Sequence, residues 1–546
     1  MLNQFLPIGK LHKELNEFLE SWNWILGQIN PGTTVSLFQD KKTLSKLHHS
    51  LNIGKYSSVK FREELILCAP DEKIIEFVKK IDVQYSSLSE VQTEEFRKKI
   101  ASFSWGVNNE TKMFVDVFEY PSYLIPQEIE KFTSIEDLPK PMNPYKQLKE
   151  FQSEIYFEAI KHVENANTRF LIQLPTGAGK TRTAMEIVST FLNKKEGRQV
   201  VWLADRSELC EQAIEAFNNA WNHIGKYELK IIRMWGDMEL PEKIEGTCFV
   251  VGMYQKIHRP LKNGKLSLKG DLIIADEAHN VLAPTHEETI LHLTDFQIKQ
   301  SRVIGLTATP GRTTSESIQN EQLVSFFNDK IIGIEPTNQG PIEYLQGKRV
   351  LARCIHSPLK TDIKYTLTQD EWKKLAKSFE NEYPDEFIEK IANDEKRNLL
   401  ITLKLLELSS QCKHILVFGT NLKQSKLLCG ILIALGYSAV HVDGDSPPNY
   451  RKDVVRKFKE GEIQFILNYG VFTAGFDAPN IDAVVITRPT RSIVLYGQMI
   501  GRGMRGVEIG GTEEFQLVDV IDDIITDHGG LDNVYEYFSD YWENQS

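Results

Sequence analysis

The segment FLIQLPTGAGKTRTAM, residues 170–185, combines glycines, a lysine and a threonine in a spacing that suits phosphate binding. Glycines let backbone N–H groups turn toward phosphate oxygens, and a following helix adds its positive N-terminal end. Lys180 could reach the β- and γ-phosphates of a nucleotide, and Thr181 could ligate Mg²⁺. The pattern GxxxxGK[ST] is met only in its second half, because Leu174 replaces the first glycine. The loop predicted to hold the phosphates comprises Thr176, Gly177, Ala178, Gly179, Lys180 and Thr181.

Two adjacent acids follow a run of four apolar residues in LIIADEAH, residues 272–279. A phosphate loop needs a carboxylate at the end of a neighbouring strand to hold the metal, and Asp276 stands at such a position. Glu277 beside it could orient or deprotonate an attacking water. This pair predicts the metal ligand and the catalytic base of a hydrolase.

Two arginines lie three residues apart in YGQMIGRGMRG, residues 496–506. On a helix, Arg502 and Arg505 would share one face. Facing the phosphate loop across a cleft, they could act as arginine fingers on the γ-phosphate. They predict that a second lobe completes the site.

The elements that must position these residues are visible as short apolar runs separated by helical patterns. Such runs, bounded by polar or glycine signals, are typical of buried parallel strands with helical crossovers. They fall into two series, which predict lobes at residues 141–341 and 342–546, after a region of mixed helical and strand signals at residues 1–140. The runs are RFLIQL, QVVWLA, CFVVGM, DLIIAD and RVIGLT, then HILVFG, SAVHVDG, QFILNYG, DAVVITRP and EFQLVDV.

Composition narrows the protein class. The 546 residues carry a net charge of −11, which argues against a surface coated by nucleic acid but allows a local basic groove. The six cysteines form no CxxC pair, so a locally coordinated zinc ribbon or iron–sulfur cluster is not expected. The N-terminus has no signal-peptide core, and no apolar run is long enough to cross a bilayer. We therefore expect a cytoplasmic protein without membrane contact.

Taken together, these segments resemble the motif series of superfamily 2 DEAD/DEAH-box helicases. LPTGAGKT is similar to motif I, DEAH to motif II, LTATP (306–310) to motif III and QMIGRGMR (498–505) to motif VI. VWLADRSELCEQ (201–212) is similar to motif Ia, ILVFGTN (415–421) to motif IV and TAGFDAPNID (473–482) to motif V. The resemblance implies two tandem RecA-like lobes, in an α/β fold with parallel sheets and helices on both faces, preceded by an N-terminal α+β accessory domain.

The resemblance also implies roles for single residues. Gln498, Arg502 and Arg505 would complete the ATP site beside Lys180 and Glu277, with Asp477 nearby. His279, Thr307 and Thr309 would couple the nucleotide site to the cleft. Gln152, in LKEFQSEI (148–155), would read the adenine edge. The residues expected to contact nucleic acid are Arg206, Ser207, Thr420, Asn421 and Thr473.

Within the superfamily, GFDAPNIDAVVITRPTRSIVLYGQMIGRGMR is most similar to RadD-like and XPB-like repair helicases and to the motor subunits of type I and type III restriction enzymes. This resemblance favours DNA, single-stranded, duplex or forked, over RNA. It implies an ATP- and Mg²⁺-dependent helicase or translocase in DNA repair. The alternatives are a motor in a restriction or antiphage complex with a nuclease partner, and an ATP-switched nucleic-acid clamp or RNA helicase.

The N-terminal region offers two further patterns, each with two interpretations. Residues 41–62 contain five lysines, one arginine and no acid, with Tyr56 and Phe61 between them. This suits either nucleic-acid binding or a solvated basic face over an ordinary core. Residues 12–29 predict an amphipathic helix whose Trp22 and Trp24 either pack in a core or dock a partner.

Overall fold

The computed structural model describes fourteen segments of the chain: residues 2–30, 38–81, 90–126, 135–138, 147–166, 168–241, 243–294, 301–308, 318–334, 340–377, 382–472, 480–526, 529–530 and 534–541. Within these segments, no helix is both long enough and apolar enough to pass through a lipid bilayer. All six cysteines are described, and all six are free thiols.

The N-terminal region folds into helices. They are α1 (Ile8–Glu14), α2 (Asn16–Ile29), α3 (Lys41–Leu51), α4 (Val59–Leu67), α5 (Asp71–Ile81), α6 (Glu90–Ser102) and α7 (Asn109–Val117), with short 3₁₀ turns at Leu2–Phe5, Ile53–Ser57 and Ser122–Leu124. In α2 the apolar residues Phe18, Trp22, Ile25 and Leu26 recur at helical spacing and are buried. Up to residue 126 the described N-terminal residues contain helices and no strand, which differs from the α+β mixture expected there.

The basic stretch at residues 41–62 covers a core. Tyr56 and Phe61 are buried, and Arg62 is fully buried, donating to the carbonyls of Tyr56 and Ser57. Lys41 and Lys42 lie on the exposed face of α3. The aromatic rings therefore cannot stack on bases, and the structure fits the interpretation of a solvated basic face over a hydrophobic core.

The first lobe is built on an eight-stranded sheet. Its strands are β1 (Ile135–Leu138), β2 (Arg169–Gln173), β3 (Gln199–Ala204), β4 (Leu229–Met234), β5 (Cys248–Met253), β6 (Leu272–Ala275), β7 (Arg302–Thr307) and β8 (Ile331–Ile332). The order is β1-β4-β5-β3-β6-β7-β2-β8, and every pairing is parallel except that of β1 with β4. The helices are α8 (Glu150–Glu164), α9 (Lys180–Asn193), α10 (Ser207–Ile224), α11 (Tyr254–Lys262), α12 (Pro284–Leu293) and α13 (Ile318–Phe326).

The second lobe is built on another sheet of eight strands. They are β9 (Arg353–His356), β10 (Leu359–Thr366), β11 (Ile415–Phe418), β12 (Ala439–Val442), β13 (Phe465–Asn468), β14 (Ala483–Ile486), β15 (Glu514–Thr526) and β16 (Gly529–Gly530). The main order is β10-β15-β14-β11-β13-β12, with β9 and β16 also paired to β15. The helices are α14 (Pro341–Gly347), α15 (Gln369–Lys377), α16 (Asp385–Ala392), α17 (Glu395–Ser409), α18 (Leu422–Ala434), α19 (Pro448–Lys459) and α20 (Ile493–Ile500).

All ten apolar runs identified in the sequence form strands, and the two RecA-like sheets are confirmed. Four-residue strands such as β6, β11 and β14 are buried along their whole length, because helices cover both faces of each sheet. Several strands were not predicted, among them β4, whose LKIIRM is interrupted by charges, and β10, in which buried and exposed residues alternate.

The N-terminal helices are attached to the second lobe. Helix α2 packs on α17 and α18, and α3 packs on α18. The indole Nε1 of Trp22 donates to the carbonyl of Leu427 at 2.9 Å, and a methyl group at Gly430 would lie 2.2 Å from that indole. The ring of Tyr123 lies 5.0 Å from that of Tyr450. Trp22 therefore belongs to a core, and that core joins two parts of the same chain.

Candidate active site

The glycine-rich loop connects the buried strand β2 to helix α9. Gly177 and Gly179 have φ values of +87° and +88°, a left-handed conformation that side chains with a Cβ adopt only at a cost. The Ala178 N–H donates to the Pro175 carbonyl at 3.0 Å, and Lys180 is the first residue of α9. The positive N-terminal end of α9 and Lys180 therefore lie together at the end of the glycine-rich loop, an arrangement that suits phosphate binding.

The side chain of Gln152 supports this loop through a hydrogen bond to its backbone. Its side chain is 7% exposed; Nε2 donates to the Ala178 carbonyl at 3.1 Å and Oε1 accepts from the Lys149 N–H at 3.0 Å. A methyl group at Gly179 would lie 2.4 Å from Nε2, so only glycine allows this approach. The predicted contact with adenine stays a prediction, and the structure adds a role that sequence reasoning missed, which is support of the phosphate loop.

The two adjacent acids lie where β6 ends, next to β3 and β7. Asp276 is 8% exposed, and its Oδ1 accepts from the Glu277 N–H at 3.0 Å. Glu277 has φ +47° and ψ +54°, an uncommon conformation for a residue with a side chain. His279 Nδ1 lies 3.4 Å from Glu277 Oε2. This strained backbone conformation occurs at a residue that lines the cavity between the lobes.

Burial and the neighbouring carboxylate of Glu277 raise the pKa of Asp276 to about 7, and the ammonium of Lys180 acts in the opposite direction. Lys180 makes no ion pair with any residue that the structure describes, so its charge is available to a phosphate. Within the described residues, no three His, Cys, Asp or Glu side chains form a metal-binding group. A Mg²⁺ ion would fit here with Asp276, Thr181 and the phosphates of a nucleotide as oxygen ligands, which is how enzymes commonly bind it.

The two arginines follow helix α20 instead of lying on it. The helix ends at Ile500, and the three glycines that follow it pass close to other groups. A methyl group would lie 2.1 Å from Thr176 at Gly501, 2.3 Å from Phe515 at Gly503, and 2.2 Å from the Arg349 carbonyl at Gly506. These approaches need the turn that replaces the expected helix. Arg502 Nε donates to the Gln498 carbonyl at 3.3 Å.

The same turn brings the second lobe against the phosphate loop. A methyl group at Gly177 would lie 3.5 Å from Leu351 Cδ2 and 4.0 Å from Arg505 Cγ. Thr176 packs on Gly501 from the other side. The structure thus brings the predicted arginines next to the predicted phosphate loop, across the boundary between the lobes.

A cavity of about 270 Å³ lies between the lobes beside Glu277. Its lining combines Glu277, His279, Arg206 and Gln498, all predicted from sequence, with residues that were not. The latter include Glu382 and Arg488, whose Oε2 and Nη2 lie 3.1 Å apart. Arg488 stands in ITRPTR directly before a predicted loop, and this position after a buried strand was the one signal that could have identified it.

Thr307 and the two first-lobe residues predicted to contact nucleic acid, Arg206 and Ser207, lie in different environments. Thr307 ends β7, is fully buried, and accepts from the Leu174 N–H at 3.2 Å, which ties motif III to the phosphate loop. Arg206 is exposed at the N-terminus of α10, and Ser207 is half-buried beside it. Thr309, Thr473 and Asp477 lie outside the described residues.

In the second lobe the structure corrects one predicted contact. Thr420 is fully buried; its hydroxyl accepts from Arg397 Nη1 at 3.1 Å and donates to the Thr487 carbonyl at 2.8 Å. Arg397 is itself fully buried and bonded to both oxygens of Asp522. The Thr420 side chain therefore serves this internal network and does not face a polymer. Asn421 is half-buried, and its Oδ1 caps α18 by accepting from the Gln424 N–H at 2.8 Å.

Two family models match the chain over these elements. Residues 145–312 match the type III restriction enzyme res subunit, and residues 395–507 match the helicase conserved C-terminal domain. The chain therefore carries a domain of the first kind in its first lobe and a helicase C-terminal domain in its second lobe. Domains of this kind imply ATP hydrolysis that depends on nucleic acid.

Curated relatives of the chain include proteins with matching motor regions. A Saccharomyces cerevisiae protein named as an ATP-dependent helicase, IRC3, is 25% identical over 66% of the chain and 49% of its own length. The EcoKI endonuclease subunit of the type I restriction enzyme of Escherichia coli is 24% identical over 67% of the chain and 34% of its own length. The chain thus spans about half or less of the length of these two relatives.

A solved structure supports the two-lobed fold. The type ISP restriction-modification enzyme LlaBIII, solved bound to DNA, is similar with a TM-score of 0.50 and 16% identity, over 73% of the chain and 29% of that enzyme. The similarity covers the two-lobed architecture described above.

Proposed function

We propose that the protein is an ATP-driven DNA helicase or translocase that acts in genome maintenance. The observation that carries the proposal is the contact of Thr176 and Gly177 with Gly501 and Arg505, which places cationic side chains of the second lobe beside the phosphate loop of the first. A nucleotide at this junction would touch both lobes. Its hydrolysis would therefore change the interaction between them.

In the proposed reaction, the Lys180 side chain and the N–H groups of Gly177, Gly179, Lys180 and Thr181 bind the β- and γ-phosphates. Glu277 accepts the proton of the attacking water, and Arg505 and Arg502 stabilise the charge that develops on the γ-phosphate. Mg²⁺, when bound by Asp276 and Thr181, neutralises charge on the phosphate oxygens. Gln498 lines the same cavity as Glu277, so the second lobe reaches the water side of the site as well.

DNA is the proposed polymer, because the matched family model and the EcoKI relative both belong to restriction enzymes, which act on DNA. Arg206 is exposed beside the cleft, and the Asn421 amide lies at the start of α18 in the other lobe. Contacts of this type to phosphates on each lobe give movement along a strand without sequence choice.

In a second candidate function, the protein is the motor subunit of a restriction or antiphage complex. The match of residues 145–312 to a restriction res subunit favours it. In that case the motor would move DNA for a partner nuclease. To test this, the protein is purified from its native host and the eluate is assayed for ATP-dependent DNA cleavage. Cleavage indicates a nuclease partner, and its absence favours a role in genome maintenance without one.

The proposal is tested by steady-state ATPase with no polymer, single-stranded DNA, duplex DNA, forked DNA and RNA, with Lys180→Ala as the inactive control. Stimulation by at least one DNA and weaker stimulation by RNA is the expected result. A strand-displacement assay on the stimulating DNA then tells a motor from a clamp. Equal rates with and without every polymer would refute the proposal.

A further inference from the structure

A hydrogen-bonded cluster that the reaction does not use joins two functional segments of the first lobe. Asp205 lies between the end of β3 and the start of α10, directly before the exposed Arg206. Its Oδ2 accepts from the Asn280 Nδ2 at 2.7 Å, and its Oδ1 lies 3.1 Å from His286 Nε2. Asn280 ends the 3₁₀ turn that follows Glu277.

His286 locks this cluster. Its ring is 7% exposed and stacks on the buried Tyr254 ring with a centroid distance of 3.9 Å. The Nδ1 atom lies 2.9 Å from the Asn280 carbonyl, while Nε2 faces the Asp205 carboxylate. A carbonyl only accepts, so Nδ1 donates to Asn280, while Nε2 lies near the Asp205 carboxylate without a hydrogen bond to it. His286 therefore holds the Asn280 backbone by a hydrogen bond and lies against the Asp205 side chain.

The two ends of the cluster have different neighbours. One end is continuous with Arg206 and Ser207, which we propose to contact nucleic acid. The other end is continuous with Glu277 and His279, which line the interlobe cavity together with Asp205, Arg206 and Asn280. The path from Arg206 to Glu277 thus passes through one carboxylate and one amide, without crossing a strand.

We propose that Asp205 is a positioning residue that transmits nucleic-acid binding at Arg206 and Ser207 to the loop of Glu277. This inference rests on the proposed function. A polymer that draws the start of α10 toward itself displaces Asp205, and the bond from Asn280 pulls the turn at residues 278–280 with it. Because Glu277 directly precedes that turn, the polymer increases the fraction of molecules in which its carboxylate has the orientation needed for hydrolysis.

The test is Asp205→Asn, which keeps the side-chain shape but removes the charge that His286 contacts. We expect DNA-stimulated kcat to fall about tenfold. The basal rate, KM for ATP and DNA affinity should each stay within about twofold, a split that general loss of structure would not produce. The matched control is Asp271→Asn, since Asp271 contacts the opposite end of β3, accepting from the Gln199 N–H at 2.8 Å. This control should keep full stimulation.

Several outcomes would overturn the inference. Unchanged stimulation in Asp205→Asn does so, and so does an equal fall of basal and stimulated rates. If Asp205→Asn does not fold, Asn280→Ala removes the other half of the bond and is judged by the same criteria. If wild-type hydrolysis responds to no polymer, the proposed function fails along with the inference. If DNA stimulates wild-type hydrolysis and stimulates both variants to the same extent as wild type, only the inference fails.

Discussion

Thr176 of the first lobe packs directly against the backbone of Gly501 of the second, where a methyl group would lie 2.1 Å from its Cγ2. The threonine belongs to the phosphate loop and the glycine to the turn that carries Arg502 and Arg505. The two lobes therefore meet through atoms only a few residues from the groups that would bind and hydrolyse the nucleotide. The site and the interface between the lobes are the same place.

The Thr176–Gly501 contact gives the first prediction. Gly501→Ala should lower kcat at least tenfold, because the added methyl separates the arginines from the phosphate loop by about 1 Å or more. Gly501 has φ −58°, so alanine brings no backbone strain and the effect comes from the contact. Binding of a fluorescent ATP analogue should change little. Gly347→Ala, where a methyl meets no atom within 4 Å, is the control, and equal kcat in both variants would contradict the prediction.

The phosphate loop and the acid pair give the second prediction. Lys180→Ala should abolish both nucleotide binding and hydrolysis, because the loop loses its one described cation. Glu277→Gln should bind ATP normally and turn over at least a hundredfold more slowly, because it cannot accept the water proton. Filter binding and steady-state ATPase measure the two quantities. Near-wild-type rates in both variants would show that the site lies elsewhere.

The buried position of Thr420 gives the third prediction. Thr420→Val should cost about 1–3 kcal/mol of stability, because Arg397 and the Thr487 carbonyl lose a buried partner. Its affinity for DNA should match wild type. Arg206→Ala should instead weaken DNA binding at low salt and reduce the salt slope by about one. Fluorescence anisotropy with labelled DNA measures the DNA affinity of both variants and its salt dependence. Arg456→Ala, at an exposed arginine, is the control. Weakened DNA binding in Thr420→Val but not in Arg206→Ala would contradict the prediction.

Two buried histidines give a pH prediction. Burial lowers the pKa of His48 and of His49 to about 4 each, from an ordinary value near 6.5. Between these values the unfolded chain binds protons that the folded chain does not, so stability falls as the pH drops from 6.5 to 4. Each histidine contributes about 1.4 kcal/mol per pH unit.

Urea midpoints at pH 7.5, 6 and 5 test this dependence. His49→Gln should be less stable than wild type at pH 7.5, since it disturbs the bonds to Tyr56 and Tyr123, yet lose less stability on acidification. His292→Gln, on an exposed side chain, should follow wild type. Parallel curves for wild type and His49→Gln would contradict the prediction.

The indole of Trp22 gives the fifth prediction. Trp22→Ala should destabilise the protein by about 3–5 kcal/mol, since it empties a buried site and removes the indole hydrogen bond to the Leu427 carbonyl. Trp24→Ala, on the same helix but half-buried, should cost much less. Thermal denaturation gives the stability, and limited proteolysis shows whether the N-terminal helices separate from the second lobe. Equal losses in the two variants would argue against the interface.

Much of the motor was predictable because its signals are local. A buried parallel strand needs a continuous apolar run, so β2, β3, β6 and β11 were visible, and the residues that follow such strands must lie at the same sheet edge. That rule located Lys180 and Asp276. The pairing of the two lobes was predictable only by resemblance, since no local pattern in either half specifies its partner.

What could not be predicted depends on contacts between distant segments. The helix expected through Arg502 and Arg505 ends at Ile500 because three glycines meet Thr176, Phe515 and Arg349, all far away in sequence. Thr420 follows a strand, which is where a residue that contacts the polymer is expected. Its hydroxyl, however, accepts a hydrogen bond from the buried Arg397 of α17. The role of Gln152 in supporting the loop depends on how close Gly179 approaches it.

The contact of Trp22 with Gly430 attaches the N-terminal helices to the second lobe, which determines how they would move during a catalytic cycle. If ATP hydrolysis opens the cleft as proposed, these helices move with the second lobe and change their position relative to the first lobe. A molecule bound to them would then be pulled or pushed once per ATP. A pair of dyes, one on α3 and one on α10, would record that stroke directly and give its length.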